Sequence, residues 1–217
     1  MKKSVLVFLV FVLFSNTILA QQPLRYFMQS KDVSAHHIPY GNNPKAGHYV
    51  QANDAKIYYE IYGKGQPVVV LHGGMFGSTI ELAKIIDSLS VSFQVIAVST
   101  RGHGKSEIGT EPLTLEQRAH DVRAVIDAVT QEKVMLLGFS DGGYTAYKFG
   151  SMYPDRVKKM IVIGAGILHP GLRDFNFNFD QAMALDVDFW KQQKALMPEP
   201  NRLKEVFQQI ANCYDQL

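Results

Sequence analysis

The sequence predicts an α/β fold built on a mainly parallel sheet. Short, largely apolar segments alternate with amphipathic ones from residue 48 onward, and turn residues separate the two kinds. Strands covered on both faces read as nearly unbroken apolar runs, and their alternation with helices marks parallel strands joined by helical crossovers.

The elements follow in order. Tyr49–Gln51 and Ala55–Tyr62 are expected to form a hairpin turning at Asn53-Asp54. In its second arm Ile57, Tyr59 and Ile61 alternate with Tyr58, Glu60 and Tyr62. That period of two is the pattern of a half-exposed strand, and it adds an antiparallel edge to the sheet. Val68–Leu71 is a short apolar strand. Leu82, Ile85, Ile86 and Leu89 then recur with helical spacing, and Phe93–Val98 is a second apolar strand. Thr114 and Gln117 form a capping box that opens a helix, with Leu115, Ala119, Val122, Ile126 and Val129 as its apolar stripe. Lys133–Leu137 is the third core strand, Gly142–Tyr153 a helix stopped by Pro154, and Met160–Ile163 the fourth strand.

Composition narrows the class. The 217 residues are 47% apolar and 19% charged, the balance of a globular chain rather than a disordered or collagen-like one. The length suits one domain with a small addition. The formal charge of +2 comes from Lys2 and Lys3, so residues 21–217 are balanced. No basic excess points to nucleic acid or an acidic membrane surface. Cys213 stands alone, which excludes an internal disulfide and a cysteine zinc site.

Residues 1–20 read as an export signal. Lys2 and Lys3 precede ten apolar residues, Val5 to Phe14, then polar Ser15-Asn16-Thr17 and small Ala20. The apolar run is far short of the ~20 residues that span a bilayer, so no stable membrane anchor is expected. Ile18 departs from the small residue usual three before the cut. Gln21 rather than Cys after it argues against lipoprotein attachment. Cleavage near Ala20 would place the mature protein in the periplasm or outside the cell. Residues 21–46 show no sustained period and are expected to be an extended lead-in, with His36-His37 on a solvated stretch rather than a metal site.

The third core strand runs directly into Gly138-Phe139-Ser140-Asp141-Gly142-Gly143, a G-x-S-x-G sequence at a strand-to-helix junction. A serine on so sharp a turn is lifted clear of the sheet, and side chains two before and two after would collide, hence glycine at 138 and 142. The oxyanion formed by attack of Ser140 needs donors. The N–H of Asp141 is one, and that of Gly74 or Met75, in the His72-Gly73-Gly74-Met75 loop after the first core strand, is the other. His72 is expected to brace that loop. No phosphate-binding glycine motif follows any strand.

These residues resemble the α/β-hydrolase fold family over about residues 47–170. Three landmarks stand in family order: H-G-G-M at 72–75, S-T-R-G-H-G-K-S at 99–106 and G-F-S-D-G-G at 138–143. Ser99 stands where the family has Asp, and Arg101 and His103 in that loop are read as bracing residues. The S-D-G-G elbow is similar to that of a branch holding valacyclovir-hydrolase-like esterases, enol-lactonases and proline-iminopeptidase-like enzymes. Ser140 excludes the dehalogenases of this fold, which need Asp there. The resemblance implies an exported serine hydrolase of a small ester, lactone or amide that needs no metal or organic cofactor. It divides the chain into a core at 47–171 and a helical lid after strand six at 172–217, rich in Phe175, Phe177, Phe179, Phe189, Trp190 and Phe207.

The family's triad runs Ser, then acid, then His, and only His169 follows Ser140. The expectation is a C-terminally incomplete member lacking the last two strands, poorly soluble and nearly inactive as it stands. The alternatives are a non-catalytic relative that binds a small apolar ligand, and a rewired site using His169 with Asp174 or Asp180. For Asp141, a solvent-facing residue at a helix N-terminus is preferred over a site for a substrate ammonium group.

Overall fold

Core strands buried on both faces dictate two helical layers around one sheet. The computed structural model describes residues 23–167 and 178–215. The expected signal at 1–20, His169, Asp174, Phe175 and Phe177 lie outside the described residues. The strands are β1 (Gly47–Ala52), β2 (Ala55–Tyr62), β3 (Pro67–Leu71), β4 (Gln94–Val98), β5 (Val134–Phe139) and β6 (Val157–Ile163), ordered β1-β2-β4-β3-β5-β6. β1 and β2 are antiparallel, β2 runs antiparallel to β4, and β3, β4, β5 and β6 are mutually parallel. The expected hairpin is therefore present, with Asn53 at φ 53° in its turn. The fold is that of an α/β hydrolase.

Period-two alternation on β3 sorts its side chains between the layers. Val69 and Leu71 pack with Ala119, Val122, Val125 and Ile126 of α2 (Leu115–Val129) and Phe149 of α3 (Asp141–Met152). Val68 and Val70 face the other way, onto Ile86 of α1 (Ala83–Ser90). The capping box forms at the start of α2, where Thr114 Oγ1 accepts from Gln117 N at 3.1 Å.

Two expectations need correction here. The fourth core strand begins at Val157, not Met160, because Lys158 and Lys159 mask its start in sequence. As expected for a chain without the family's last two strands, β6 lies at the sheet edge among the described residues, with Ile161 59% and Ile163 41% exposed. Nor is the lead-in uniformly solvated. His36 Nε2 meets Asp87 Oδ2 at 2.7 Å and its ring stacks on His37. Leu24 and Tyr40 are buried. Gly41 N and Asn43 N donate to buried Glu60, at 2.8 and 2.7 Å.

Helices α4 (Phe179–Leu185), α5 (Val187–Leu196) and α6 (Leu203–Asp215) cover the carboxyl ends of the strands. Residues 25–28 of the lead-in dock on the start of α5: Asp186, its cap, accepts from Met28 N at 2.7 Å and pairs with Arg25 at 3.1 Å. No helix among the described residues is long and apolar enough to cross a membrane.

Arg101 joins three segments from a fully buried position. It grips Asp121 of α2 with Nε and Nη2 at 2.8 and 2.7 Å, and Asp54 of the hairpin turn with Nη1 at 2.8 Å. Asp54 in turn accepts from Glu111 N at 2.8 Å. Burial would raise the Asp54 pKa, but these N–H donors and Arg101 outweigh it and hold the carboxyl well below the usual carboxylate range. Its contribution to stability is thus full above the unfolded value near ~4 and is lost as pH falls toward the depressed one. Arg101→Met strands buried Asp121 without its cation. Urea unfolding at pH 7 should show a loss of about 3–5 kcal/mol; a loss under ~1 kcal/mol would disprove the bracing role.

Candidate active site

The strand order fixes where a site can form. The chain steps from β3 to β4 on one side and then to β5 on the other, so the loops leaving β3 and β5 part above adjacent strands. Open α/β sheets bind ligands in the crevice that results at the carboxyl ends. Leu71 is in register with Gly138, which sets the His72–Met75 loop beside the Ser140 turn.

The turn at Ser140 is tight enough to dictate its own sequence. Ser140 has φ 50° and ψ −115°, a left-handed backbone that L-residues adopt only under constraint. Its N–H donates to Ile163 O at 2.7 Å, and its carbonyl accepts from Gly143 N at 2.9 Å. A Cβ at Gly138 would lie 2.3 Å from Gly142 O, and one at Gly142 would lie 2.4 Å from Leu71 O. A third glycine, Gly143, is needed equally, since a Cβ there would lie 2.7 Å from Val162 Cγ1. Ser140 thus stands at the N-terminus of α3, where N–H groups and the helix dipole favour negative charge.

The loop after β3 is held from several sides. His72 is fully buried, with Nδ1 2.7 Å from Gly73 O and Nε2 accepting from Thr100 N at 3.0 Å. This arrangement requires the proton on Nδ1. Burial pushes the imidazole pKa down to about 3, so the ring stays neutral. A trans peptide points its C=O and N–H in opposite directions. Fixing Gly73 C=O on His72 therefore aims Gly74 N–H away from His72. The loop meets the elbow at Gly74, where a Cβ would lie 2.9 Å from Asp141 Cβ. Gly74, Met75 and Asp141, the three expected donors, share one locality. Met75 sits at φ 28°, a strained value for its residue type.

Asp141 is not solvent-facing. It is 2% exposed, and its carboxylate pairs with Arg118 of α2 and accepts from Tyr214 OH of α6. Burial would raise its pKa, but the Arg118 charge and the Tyr214 hydroxyl outweigh this and keep it ionised. The expectation failed because both partners come from distant helices that converge on the elbow. The pairing also removes the free negative charge that an ammonium group would seek.

The other histidines of the described residues are engaged elsewhere. His103 is buried against Thr100 and Arg101, and burial lowers its pKa to about 4. His120 bonds Tyr153 OH at 2.6 Å, His48 stacks on Tyr59, and His36 and His37 lie on the lead-in. None is hydrogen-bonded to Ser140. Asp180 is exposed on the first turn of α4. No group of three His, Cys, Asp or Glu among the described residues could hold a metal ion.

An aromatic roof closes over the loop. Phe76 stacks on Phe27 of the lead-in at 4.3 Å and meets Phe207 at 5.7 Å and Trp190 at 5.9 Å. Phe179 packs edge-on to Phe207, and Tyr144 of α3 to Tyr214. Phe27, Phe76 and Arg118 escaped sequence reasoning. For Arg118 a signal existed, since it lies three residues after Leu115 and four before Val122, on the apolar stripe.

Residues 67–204 match the family profile of the alpha/beta hydrolase fold. The chain is 36% identical over 97 residues to a putative esterase/lipase of Haemophilus influenzae, covering 45% of this chain and 33% of that protein. It is 30% identical over 138 residues to the serine hydrolase BPHL of Homo sapiens, covering 58% and 47%. The chain thus spans less than half the length of these relatives. Among solved structures, a serine hydrolase involved in carbazole degradation (CarC) superposes with a TM-score of 0.59 at 20% identity, covering 77% of this chain and 69% of that one. With the family profile matched over residues 67–204, more than half its length, the chain belongs to the α/β-hydrolase fold family.

Proposed function

We propose that this chain carries the nucleophile and oxyanion-binding part of a serine hydrolase for a small ester, lactone or amide. The observation that carries the reading is Ser140 at φ 50° on a turn with no room for a Cβ at Gly138 or Gly142, its neighbour Asp141 packed against Gly74. Ser140 Oγ attacks the substrate carbonyl carbon, and a general base takes the hydroxyl proton. The tetrahedral oxyanion lies between the N–H of Asp141 and that of Gly74 or Met75. Collapse expels the leaving group with the proton from the base, and water then hydrolyses the acyl-enzyme by the same route in reverse roles. We place the base and its acid outside the described residues, with His169 the first histidine to test. The aromatic roof favours an apolar acyl or alcohol group. The leader at 1–20 supports export.

A second reading has its own observation: none of the described histidines reaches Ser140. On it the protein binds a small apolar ester without turnover, and calorimetry on the folded chain should find heat without product.

A fluorophosphonate probe separates the two. On a version extended with the family's last two strands, the hydrolase reading expects labelling at Ser140 and none in Ser140→Ala. Labelling that survives the substitution, or a site peptide that lacks residue 140, would overturn it.

The Arg118–Asp141 pair gives a second check on the site. Arg118→Met leaves a buried carboxylate unpaired and should cost about 3–5 kcal/mol of unfolding free energy. Arg118→Met with Asp141→Asn removes the stranded charge, so the double variant should recover at least half that loss. Strict additivity of the two substitutions in urea unfolding would show that the pair is not coupled.

A further inference from the structure

We propose that Glu81 is a positioning residue for the oxyanion loop, whose carboxylate ties the two ends of residues 73–78 together and so holds Gly74 N–H toward the nucleophile. This rests on the serine-hydrolase reading above and adds to it a residue and a regulation.

Glu81 lies on the single 3-10 turn Thr79–Leu82 that follows the loop. Ser78 caps that turn, and Ser78 and Glu81 stand in the S-x-x-E spacing of a capping box. One half of the box is approached, since the Ser78 N–H lies close enough to the Glu81 carboxylate to favour its charged form. The other half is not: Ser78 Oγ is buried without a partner among the described residues. The carboxylate instead reaches past the box and takes Gly73 N–H on Oε1 at 2.6 Å. Glu81 Oε1 also lies 3.3 Å from where a Gly73 Cβ would stand, against the Phe139 ring that precedes the nucleophile.

The Gly73 residue is therefore clamped on both polar groups, its N–H by Glu81 and its carbonyl by His72. Within the loop, Gly77 N donates to Gly74 O at 2.6 Å, and a Gly77 Cβ would lie 2.0 Å from Gly73 O. Met75 is strained at φ 28°. A loop so tightly folded relaxes when a clamp weakens, and the peptide carrying Gly74 N–H turns with it.

The clamp is strongest when Glu81 is ionised, because a carboxylate accepts N–H bonds about twice as strongly as a neutral acid. Burial pushes its pKa up to about 7, against the pull of the two N–H groups. The ionisable groups around the loop are His72 and His103, neutral with pKa values near 3 and 4, and Asp141 paired with Arg118. None of these changes charge between pH 6 and 8, so Glu81 makes the loop pH-dependent in that interval. The native pKa is above the unfolded one, so ionised Glu81 lowers fold stability as pH rises from about 4.5 toward 7. A residue kept only for stability would have the opposite sign.

The test uses the chain itself. Carbon-13 NMR of the Glu81 carboxyl should titrate with a midpoint near 7, and the Gly73 and Gly74 amide protons should follow the same midpoint. In Glu81→Gln those amides should stay still between pH 6 and 8, while Tm at pH 8 stays at or above the parent's. Fluorophosphonate labelling of Ser140 at pH 8 should slow about 10- to 100-fold, as for a weakened oxyanion donor. Amides that ignore the Glu81 titration, or a Glu81→Gln variant that matches the parent in both shift and labelling rate, would overturn the proposal. Amides that titrate as stated while the parent never labels support the clamp and overturn the hydrolase reading instead.

Discussion

Everything in this site depends on how closely β5 and the start of α3 pass β3. The turn at Ser140 leaves no room for a Cβ at Gly138 or Gly142, where the nearest obstacles are backbone atoms of Leu71, Gly142 and Gly143 that cannot move aside, and Gly143 is crowded by the side chains of Val162 and Ala165. This closeness has three effects at once. It forces Ser140 to a positive φ, it brings the first turn of α3 against the Gly74 loop, and it buries Asp141. A looser turn would relax the serine but would also separate the two sets of N–H groups. The strain at Ser140 and the approach of the Gly74 loop to the start of α3 are one geometric fact.

Burial of Asp141 then creates an electrostatic problem. A carboxylate beside the proposed oxyanion site would oppose the charge developing there, and a buried unpaired carboxylate is costly in itself. Arg118 meets both objections with one charge. Tyr214 OH adds a donor from α6, which links the lid to the elbow through a hydrogen bond as well as through aromatic packing. His72 and His103 complete the balance by staying neutral, because burial disfavours their charged forms. Around the Gly74 loop the charges of the described residues are one ion pair, Arg118 with Asp141, and the titrating carboxyl of the more exposed Glu81.

What sequence could disclose follows from the range of each interaction. The strands of the sheet, the Thr114–Gln117 box and the Ser140 turn were legible because period, capping and steric exclusion act over a few residues. The start of β6 was hidden by Lys158 and Lys159, which an edge strand tolerates and a core strand does not. Asp141 was misread as exposed because its fate is decided by Arg118, 23 residues earlier, and by Tyr214, 73 residues later. An arginine on an apolar stripe and a Ser-x-x-Glu after a glycine loop were visible in the sequence. Each acquires meaning only when another element is packed against it. The role of the lead-in was not legible at all, since Phe27 belongs to no periodic segment.

The roof over the loop shows why these tertiary choices matter for chemistry. Oxyanion donors are worth most where water is excluded, because N–H dipoles act more strongly at low dielectric and need no solvent reorganisation. Here an aromatic roof is assembled from the lead-in, the loop after β3 and helices α5 and α6, with Phe76 as the shared ring. Phe76 directly follows Met75, so the loop that would bind the oxyanion also provides the seat for the lid. The lead-in fixes α5 through the Arg25–Asp186 pair and the Met28 N–H, and α6 fixes the elbow through Tyr214. A shift of the lid therefore acts on the charge balance at Asp141 and on the packing of the Gly74 loop together. The segments that build the roof are the same ones that set the field inside.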